Sequence, residues 1–210
     1  YWQTASVYYN PLYNATLGTK NFSKYTEITN NFYMEWQMHK DLKFIGRFGY
    51  TQKQDSREDF YPGNHTKFAD WTGDNYYIKD GTSKTLKLDA TLNYSKQWDK
   101  HLLFANLNWN LQQDSYDYHG MEAWGFLNDK VDHVAFAKQY AENGSPSGDE
   151  TTTREIGLVG AINYSYDNRY LADLSYRLSG SSVYGSDNRW GGFWSAGIGW
   201  NMHYESFMSG

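Results

Sequence analysis

The sequence predicts an all-β fold, namely an antiparallel transmembrane β-barrel segment of about seven strands with long extracellular loops. Three observations predict this fold. Apolar and polar residues alternate with a period of two along seven stretches of the chain. The connections between these stretches are alternately short and long. The stretches themselves run to about 10–16 residues, which exceeds the usual length of strands in soluble sheets.

The composition agrees with a protein that faces lipid. The chain has 210 residues, of which 19% are aromatic, and it contains 20 Tyr, 9 Trp and 11 Phe. Its mean hydropathy is nevertheless −0.82, so the chain is polar on average. Tyr and Trp have an apolar body and a polar tip, which suits them to the interface between a membrane and water.

Charge and cysteine content exclude several classes of function. The net charge of −5 and the absence of a basic patch argue against a nucleic-acid partner. The chain has no Cys, which excludes disulfides and thiol chemistry. No stretch approaches the roughly 18 apolar residues of a transmembrane helix. Because the chain starts at Tyr1 without a signal peptide, we expect it to begin within a longer protein.

The alternation is clearest over residues 84–98. Leu88 and Leu92 fall on one face of this stretch, and Lys87 and Asp89 fall on the other. The same period predicts strands over residues 25–38, 42–54, 84–98, 102–115, 153–166, 169–178 and 193–203.

The connections are sorted by length. Short polar turns are predicted at Lys40-Asp41, Asp99-Lys100 and Asp167-Asn168, since Asp and Asn favour tight hairpins. Long connections cover residues 55–83, 116–152 and 179–192. Successive antiparallel strands place their connections on alternate sides, so one side of the sheet receives only turns and the other only loops. This asymmetry is typical of outer-membrane barrels.

The second long connection contains a helical pattern. Val131, Val134 and Ala135 predict a short helix over residues 129–141. Asn128 or Asp129 would cap its start, and Gly144 would end it.

Aromatic residues on the apolar faces gather toward the strand ends. Those near the short turns are Trp36, Trp98, Tyr166, Tyr170 and Trp200. Those toward the long connections are Tyr50, Tyr176 and Trp194. Two such girdles mark the two interfaces of a membrane with water.

A soluble carbohydrate-binding β-sandwich is the alternative fold, because alternation with Tyr and Trp also builds secreted sandwiches. The two folds predict opposite environments for the apolar faces. In a barrel, Leu88, Leu92, Leu107 and Ile198 face outward from the sheet, whereas in a sandwich they lie in a core between two sheets.

The sequence offers no catalytic or metal-binding pattern. A Gly-x-Ser-x-Gly nucleophile elbow is absent. No zinc spacing links the scattered histidines, which are His39, His65, His101, His119, His133 and His203. We therefore predict that the protein is not an enzyme and uses no cofactor and no metal ion.

Aromatic residues in the predicted long loops are the candidate ligand-binding residues, since rings stack on sugars and pack on peptides. They are Tyr61, Trp71, Tyr76, Tyr77, Tyr116, Tyr118 and Trp124. The alternative is that these rings pack within the loops or against a partner protein.

The stretch from Asn168 to Phe207 carries a dense run of motifs. Its principal residues are Arg177, Gly180, Ser181, Ser182, Gly185, Asn188, Arg189, Trp190, Gly191, Trp200, Glu205 and Phe207. This run resembles the barrel signature of the SusC/RagA family of TonB-dependent transporters, in which we interpret these residues as structural. Ser179, Tyr184 and Trp194 depart from the usual Asp, Phe and Pro of the family, so no ligand contact is carried over to them.

The resemblance implies a barrel of about 22 strands with a plug inside it, in the bacterial outer membrane. Residues 1–210 would form part of a single barrel domain without the plug, and the remainder would lie in another chain or a longer protein. The implied function is import of an oligomeric nutrient, either a glycan or a peptide. The implied partners are TonB through the plug, a SusD-like surface lipoprotein, and outer-membrane lipid.

Charged residues of the polar faces have two interpretations. Glu35, Arg47, Lys87 and Asp89 either form ladders that stiffen the barrel, or they contact the plug and the passing substrate.

Overall fold

The computed structural model describes residues 12–68, 73–128, 130–185 and 189–208. Within them the strands are β1 (Lys20–His39), β2 (Leu42–Tyr61), β3 (Asn75–Trp98), β4 (His101–Trp124), β5 (Gln139–Tyr140), β6 (Ser147–Tyr166), β7 (Tyr170–Ser181) and β8 (Trp190–Trp200). The helical elements of the described residues are short 3₁₀ turns at Asn14–Thr16, Val134–Phe136 and Met202–Tyr204. Among these, none is long and apolar enough to cross a membrane.

The strands belong to one sheet with the order β1-β2-β3-β4-β6-β7-β8, and the short β5 pairs with β4. Each long strand thus pairs with the next long strand along the chain. In the antiparallel β6–β7 pair Leu158 lies opposite Leu178. In the β7–β8 pair Leu174 lies opposite Ala196. The predicted all-β, antiparallel fold class is confirmed.

Several strands are longer than the alternation predicts. β2 continues to Tyr61, β3 begins at Asn75, β4 continues to Trp124 and β6 begins at Ser147. The alternation disappears earlier because positions that continue an apolar face become polar, as at Gln52, Gln54 and Ser56. Backbone pairing does not require apolar side chains, so the strands continue where the sequence signal ends. The long connections shorten accordingly to residues 62–74, 125–146 and 182–189.

The short turns lie where the sequence predicts them. β1 and β2 are separated by two residues, Lys40 and Asp41, and the same spacing separates β3 from β4. Asp99, Asp167 and Asn168 have φ angles of 46°, 53° and 52°. Asp and Asn tolerate this left-handed region better than other residues with a side chain, which explains their use at these turns.

The helix predicted over residues 129–141 is wrong. The structure has only the 3₁₀ turn Val134–Phe136 and the strand β5 in this stretch, while Asp129 lies outside the described residues. The His133 side chain caps the turn by accepting a hydrogen bond from the Ala135 amide. β5 pairs with the end of β4, and this pairing replaces helical hydrogen bonds. The last predicted strand, residues 193–203, is displaced by three residues, because β8 begins at Trp190 and ends at Trp200, where a 3₁₀ turn follows it.

Contacts divide the chain into two compact units. Unit 1 comprises residues 1–27, 53–83 and 116–151, and it contains the first two long connections. Unit 2 comprises residues 28–52, 84–115 and 152–210, and it contains the short turns.

The apolar faces of unit 2 are not covered. Leu107 is 48% exposed and Ile198 is 94% exposed, while Leu88 and Leu92 are half-buried. The girdle residues near the short turns, Trp36, Trp98, Tyr166, Tyr170 and Trp200, are 37–55% exposed. Among the described residues, the buried hydrophobic side chains are Phe60, Tyr76 and Ala123, all in unit 1. The described residues therefore lack the two-sheet core of a sandwich, and that alternative is wrong.

The polar face of unit 2 carries a hydrogen-bonded ladder. Arg47 donates to Asp89 across 3.0 Å, and Asn108 donates to the other oxygen of Asp89 across 2.9 Å. Lys43 forms an ion pair with Glu35 on the neighbouring strand. Within the described part of the chain, these cross-strand pairs connect β1 to β4. They support the structural interpretation of Glu35, Arg47 and Asp89.

The two faces predict opposite effects of a charge at adjacent positions of β6. Ile162 is 48% exposed on the apolar face, and Asn163 lies on the polar face opposite Asp173. We expect Ile162→Arg to lower the free energy of unfolding of the complete barrel in lipid by about 2–4 kcal/mol, since a guanidinium would enter hydrocarbon.

Asn163→Arg is the matched control, and we expect it to change that free energy little because Asp173 faces it. Urea unfolding in bilayers measures the free energy of unfolding of both variants. The folded fraction is read from the mobility shift on boiling in SDS. Equal destabilisation by the two variants would contradict the assignment of faces.

Candidate functional site

The candidate aromatic residues lie on strands rather than in loops, which corrects the prediction. Tyr61 is the last residue of β2, while Tyr76 and Tyr77 are the second and third residues of β3. Three others lie in the second half of β4, namely Tyr116, Tyr118 and Trp124. Trp71 lies outside the described residues.

Strand alternation divides these residues between two faces. Tyr61, Tyr77, Tyr116, Tyr118 and Trp124 continue the polar faces of their strands. Tyr76 points to the opposite side and is only 1% exposed. Five candidates are therefore brought to one face, whereas Tyr76 is unable to contact a ligand from its buried position.

The tyrosines of the polar face in unit 1 are paired with cations. The Lys53 ammonium lies 4.8 Å from the ring centroid of Tyr25, and the Arg57 guanidinium lies 5.8 Å from that of Tyr77. These distances allow an attraction between each cation and the electron-rich ring face.

A third cation of this face lies closer to its ring. The Lys79 ammonium is 3.9 Å from the ring centroid of Tyr118 and 5.8 Å from that of Tyr116. Near the first long connection, Lys67 lies 4.1 Å from the ring centroid of Tyr61. We call the set Tyr25, Lys53, Arg57, Tyr77, Lys79, Tyr116 and Tyr118 the tyrosine–cation face.

Gly81 creates room at the centre of this face. A Cβ atom at Gly81 would lie 2.8 Å from the Tyr116 hydroxyl and 3.1 Å from an Asp55 carboxylate oxygen. The Tyr116 hydroxyl therefore lies against residue 81 of β3, in space that a side chain at this position would take.

The opposite side of the same strands holds a small hydrophobic core. Phe60, Tyr76 and Phe126 contact one another with ring centroids 5.0–6.0 Å apart. Phe126 comes from the second long connection, so this connection packs on the side of unit 1 that faces away from the tyrosine–cation face. Both Phe60 and Tyr76 are fully buried as a result.

An ionic cluster holds the connection in this position. Lys20 forms ion pairs with Glu58 at 3.1 Å and with Asp132 at 3.2 Å. The Tyr76 hydroxyl donates to Glu58 across 2.6 Å. Asp74 accepts hydrogen bonds from the Gly125 and Phe126 amides at 2.7 and 2.6 Å. We call Lys20, Glu58, Asp74, Tyr76 and Asp132 the loop latch.

The latch alters the acid–base properties of its members. Burial alone would raise the pKa of Glu58, but the hydrogen bonds from Tyr76 and Lys20 outweigh it and hold that pKa below the ordinary value. Burial would likewise lower the pKa of Lys20, yet Glu58 and Asp132 raise it. Burial, followed by the hydrogen bond to Glu58, raises the pKa of Tyr76. Glu58 is thus held ionised and Tyr76 neutral.

Sequence reasoning did not identify the latch. Its residues are far apart in the chain, and Lys20 and Asp132 are brought together only by the folded connection. Phe60 and Tyr76 offered one signal, because they resume the apolar pattern of β2 and β3 after a polar interval.

The motif run near the C-terminus forms two structural groups. In the first, Glu205 accepts hydrogen bonds from Tyr170 at 3.0 Å and from Trp200 at 3.2 Å, and it forms an ion pair with Arg169 at 3.3 Å. Phe207 packs edge-on against Trp200. The Glu205 carboxylate thereby ties the segment after β8 to the aromatic girdle.

The second group surrounds the hairpin of β7 and β8. Gly180 lies opposite Trp190, whose ring occupies the space that a Cβ atom would need. The Ser181 amide donates to the carbonyl of Arg189, and the Ser182 hydroxyl accepts from the Arg154 amide. Arg177 donates a hydrogen bond to the Ser179 hydroxyl, and Gly191 lies opposite Ser179 in the β7–β8 pair. Gly185 belongs to the connection between these two strands. Asn188 lies outside the described residues.

In the described part of the chain, no group of three or more His, Asp or Glu side chains is placed to hold a metal ion.

Sequence relatives are found among outer-membrane receptors, although no protein-family model matches the chain. The chain is 27% identical over 201 residues to TonB-dependent receptor P39 of Formosa agariphila, which covers 95% of this chain and 19% of that protein. It is 28% identical over 141 residues to TonB-dependent receptor SusC of Bacteroides thetaiotaomicron, covering 65% and 13%. The chain thus spans about a fifth of the length of the first relative.

Solved structures with the same fold include the RagAB peptide transporter. The TM-score is 0.79 at 19% identity, over 95% of this chain and 22% of that chain. The RagAB peptide importer in its open-open state gives a TM-score of 0.78 at 19% identity, over 100% and 23%. At this identity the similarity establishes the fold.

The loop latch predicts the behaviour of the second long connection. Lys20→Met removes the ammonium that joins Glu58 to Asp132. We expect amide hydrogen exchange over residues 130–138 to become roughly 5–10-fold faster, the effect of losing about 1 kcal/mol of local stability. Lys24→Met is the control, because Lys24 lies on the same side of β1 and forms no ion pair among the described residues. Equal exchange in both variants would contradict the latch.

Acid should open the latch through Glu58. Because the pKa of Glu58 lies below its ordinary value of 4.5, its contribution to stability is complete above that pH and is lost as the pH falls through the lower, folded-state pKa. Hydrogen exchange over residues 130–138, corrected for intrinsic rates, measures this loss. Glu58→Gln should exchange faster at neutral pH and show a smaller acid response. An unchanged acid response in Glu58→Gln would assign the effect to another carboxyl group.

Proposed function

We propose that this chain, a SusC/RagA-like segment of a TonB-dependent transporter in the bacterial outer membrane, forms part of the wall through which an oligomeric nutrient enters the cell. The SusC/RagA-like character and the outer-membrane location, both predicted from the sequence, are confirmed by the relatives. These relatives are transporters and receptors, which agrees with a protein that is not an enzyme.

The observation that carries the proposal is the contrast between the two faces of the sheet. One face in unit 2 is apolar, exposed and bordered by aromatic girdle residues, as a lipid-facing surface requires. In each unit the polar face carries hydrogen-bonded charges or tyrosine–cation pairs, as suits a surface that lines an aqueous passage. A soluble binding module would have no use for the exposed apolar face.

The cargo is an oligomer, either a glycan or a peptide. Similarity to RagAB, a peptide transporter, supports the peptide. The rings of the polar face suit either class, since they pack on peptides and stack on sugars. We propose Tyr61, Tyr77, Tyr116, Tyr118 and Trp124 as the ligand-contacting residues of this segment. Tyr76 is excluded because it is buried.

Residues 1–210 would form part of a single barrel domain, completed by the rest of the barrel and its plug. Energy would come from TonB acting on the plug, in keeping with the TonB dependence of the relatives. A SusD-like surface lipoprotein would bind at the side of the long connections and capture the cargo. Similarity to SusC and to RagAB supports such a partner.

Deletion of the gene that encodes the complete transporter tests this function. We expect growth on at least one oligomeric glycan or peptide, supplied as the sole nutrient of its class, to be lost. Growth should return with the intact gene, but not with a version that lacks the TonB-contacting segment. Growth on the corresponding monomer is the control, since small solutes cross the outer membrane through other pores.

Two outcomes would contradict the proposal. One is unchanged growth of the deletion strain on every oligomer. The other is recovery of the full-length product as a soluble monomer without a mobility shift on boiling in SDS.

A further inference from the structure

Resting on the proposed transport function, we propose that the tyrosine–cation face recognises anionic groups, such as carboxylates, carried by an oligomeric substrate. The argument concerns unit 1 alone. It begins from the partners of Lys53, Arg57 and Lys79, the cations of this face.

Only one of the three cations is neutralised. Arg57 forms an ion pair with Asp59 at 2.8 Å. Within the described residues, Lys53 and Lys79 form no ion pair with a carboxylate, and their closest partners are tyrosine rings. A ring attracts a cation through its quadrupole but carries no charge, so both ammonium groups keep their full positive charge.

Two carboxylates of this face, Asp59 and Glu122, already have partners. Asp59 is buried and paired with Arg57, and Glu122 accepts a hydrogen bond from Asn75. Glu27, two residues after Tyr25 on the polar face of β1, forms no ion pair among the described residues. Asp55 lies beside Gly81 and forms no ion pair with either lysine in the described part of the chain. Neither lysine is therefore bound to a carboxylate of the described residues, although Asp55 and Glu27 place negative charge on the same face.

Lys79 is half-buried, and two of its neighbours on this face are glycines. Gly81 follows Lys79 on the same side of β3, and Gly120 lies beside it on β4. A Cβ atom at Gly120 would lie 2.9 Å from the Ile78 carbonyl oxygen, so the backbone leaves no room for a side chain at this position beside Lys79. Neither glycine presents a side chain that would cover the ammonium.

The rings also restrict which ligand suits the face. Cations already lie over Tyr25, Tyr77 and Tyr118, so a sugar is unable to stack on the covered side of these rings. What this side presents to a ligand is positive charge and phenolic hydroxyl groups. Both bind carboxylate oxygens, and a charge-assisted hydrogen bond is about twice as strong as a neutral one.

The test uses the complete transporter in lipid nanodiscs and titration calorimetry at low and high salt. The probes are a galacturonic acid hexamer, a glutamic acid hexamer and the neutral maltohexaose. We expect at least one acidic hexamer to bind, with an affinity that salt lowers. The acidic hexamer that binds more tightly shows whether the anionic groups of the substrate belong to a glycan or to a peptide.

Four variants locate the binding. Lys53→Gln combined with Lys79→Gln should lower the affinity for the acidic probe roughly tenfold or more, through the loss of two charged contacts. Lys79→Arg, in place of Lys79→Gln, should restore the part of the affinity that the charge at residue 79 contributes. Asp55→Asn should strengthen binding severalfold by removing a like charge. Lys84→Gln, on the opposite side of β3, should have no effect.

Failure of both acidic hexamers to bind would overturn the proposal. Binding that is indifferent to the lysine substitutions would overturn it as well. Neither result touches the proposed transport function, because TonB-dependent growth on a neutral oligomer would still establish that function.

Discussion

Backbone hydrogen bonding between neighbouring strands is the interaction on which the rest of this structure depends. An unpaired amide or carbonyl group costs several kcal/mol in hydrocarbon, so a chain that crosses lipid as strands must pair each strand with its neighbours. The meander order supplies such pairing between consecutive strands. Side chains are then free to differ on the two faces, because backbone pairing does not depend on their identity.

Strand pairing also continues where apolar residues no longer accompany it, and this makes the polar face of unit 1 possible. β2, β3 and β4 are 20–24 residues long, about twice the length that a tilted membrane strand needs. The additional length positions Lys53, Arg57 and Lys79 on rigid strands rather than in loops. The loop latch then packs the second long connection against the other side of the same strands, where it does not cover these cations.

The sequence predicted the parts of the fold that depend on local periodicity. Leu88 against Lys87 marks a strand with two different faces, and Asp99 or Asn168 marks a turn that needs a left-handed residue. The loop ends of the strands escaped prediction because Gln52, Gln54 and Ser56 interrupt the apolar pattern without interrupting the pairing. The candidate aromatic residues were correctly grouped near the long connections but wrongly placed in loops, and Tyr76 was not recognised as buried.

Contacts between distant parts of the chain were beyond local reasoning. The ion pair between Lys20 and Asp132 joins residues that only the folded connection brings together. The same holds for Glu205, which the motif run singled out without revealing that Tyr170, Trp200 and Arg169 all converge on its carboxylate. A sequence pattern identifies such a residue as important, whereas only the folded structure shows which side chains it binds.

The edges of the sheet have unequal lengths, and this matters for how a larger assembly closes. In the described residues, β1 pairs with β2 alone and β8 with β7 alone, so β1 offers an unpaired margin of 20 residues and β8 one of 11. An unpaired strand margin presents amide and carbonyl groups that a further strand can pair with, so additional strands of a larger sheet would join at these two edges.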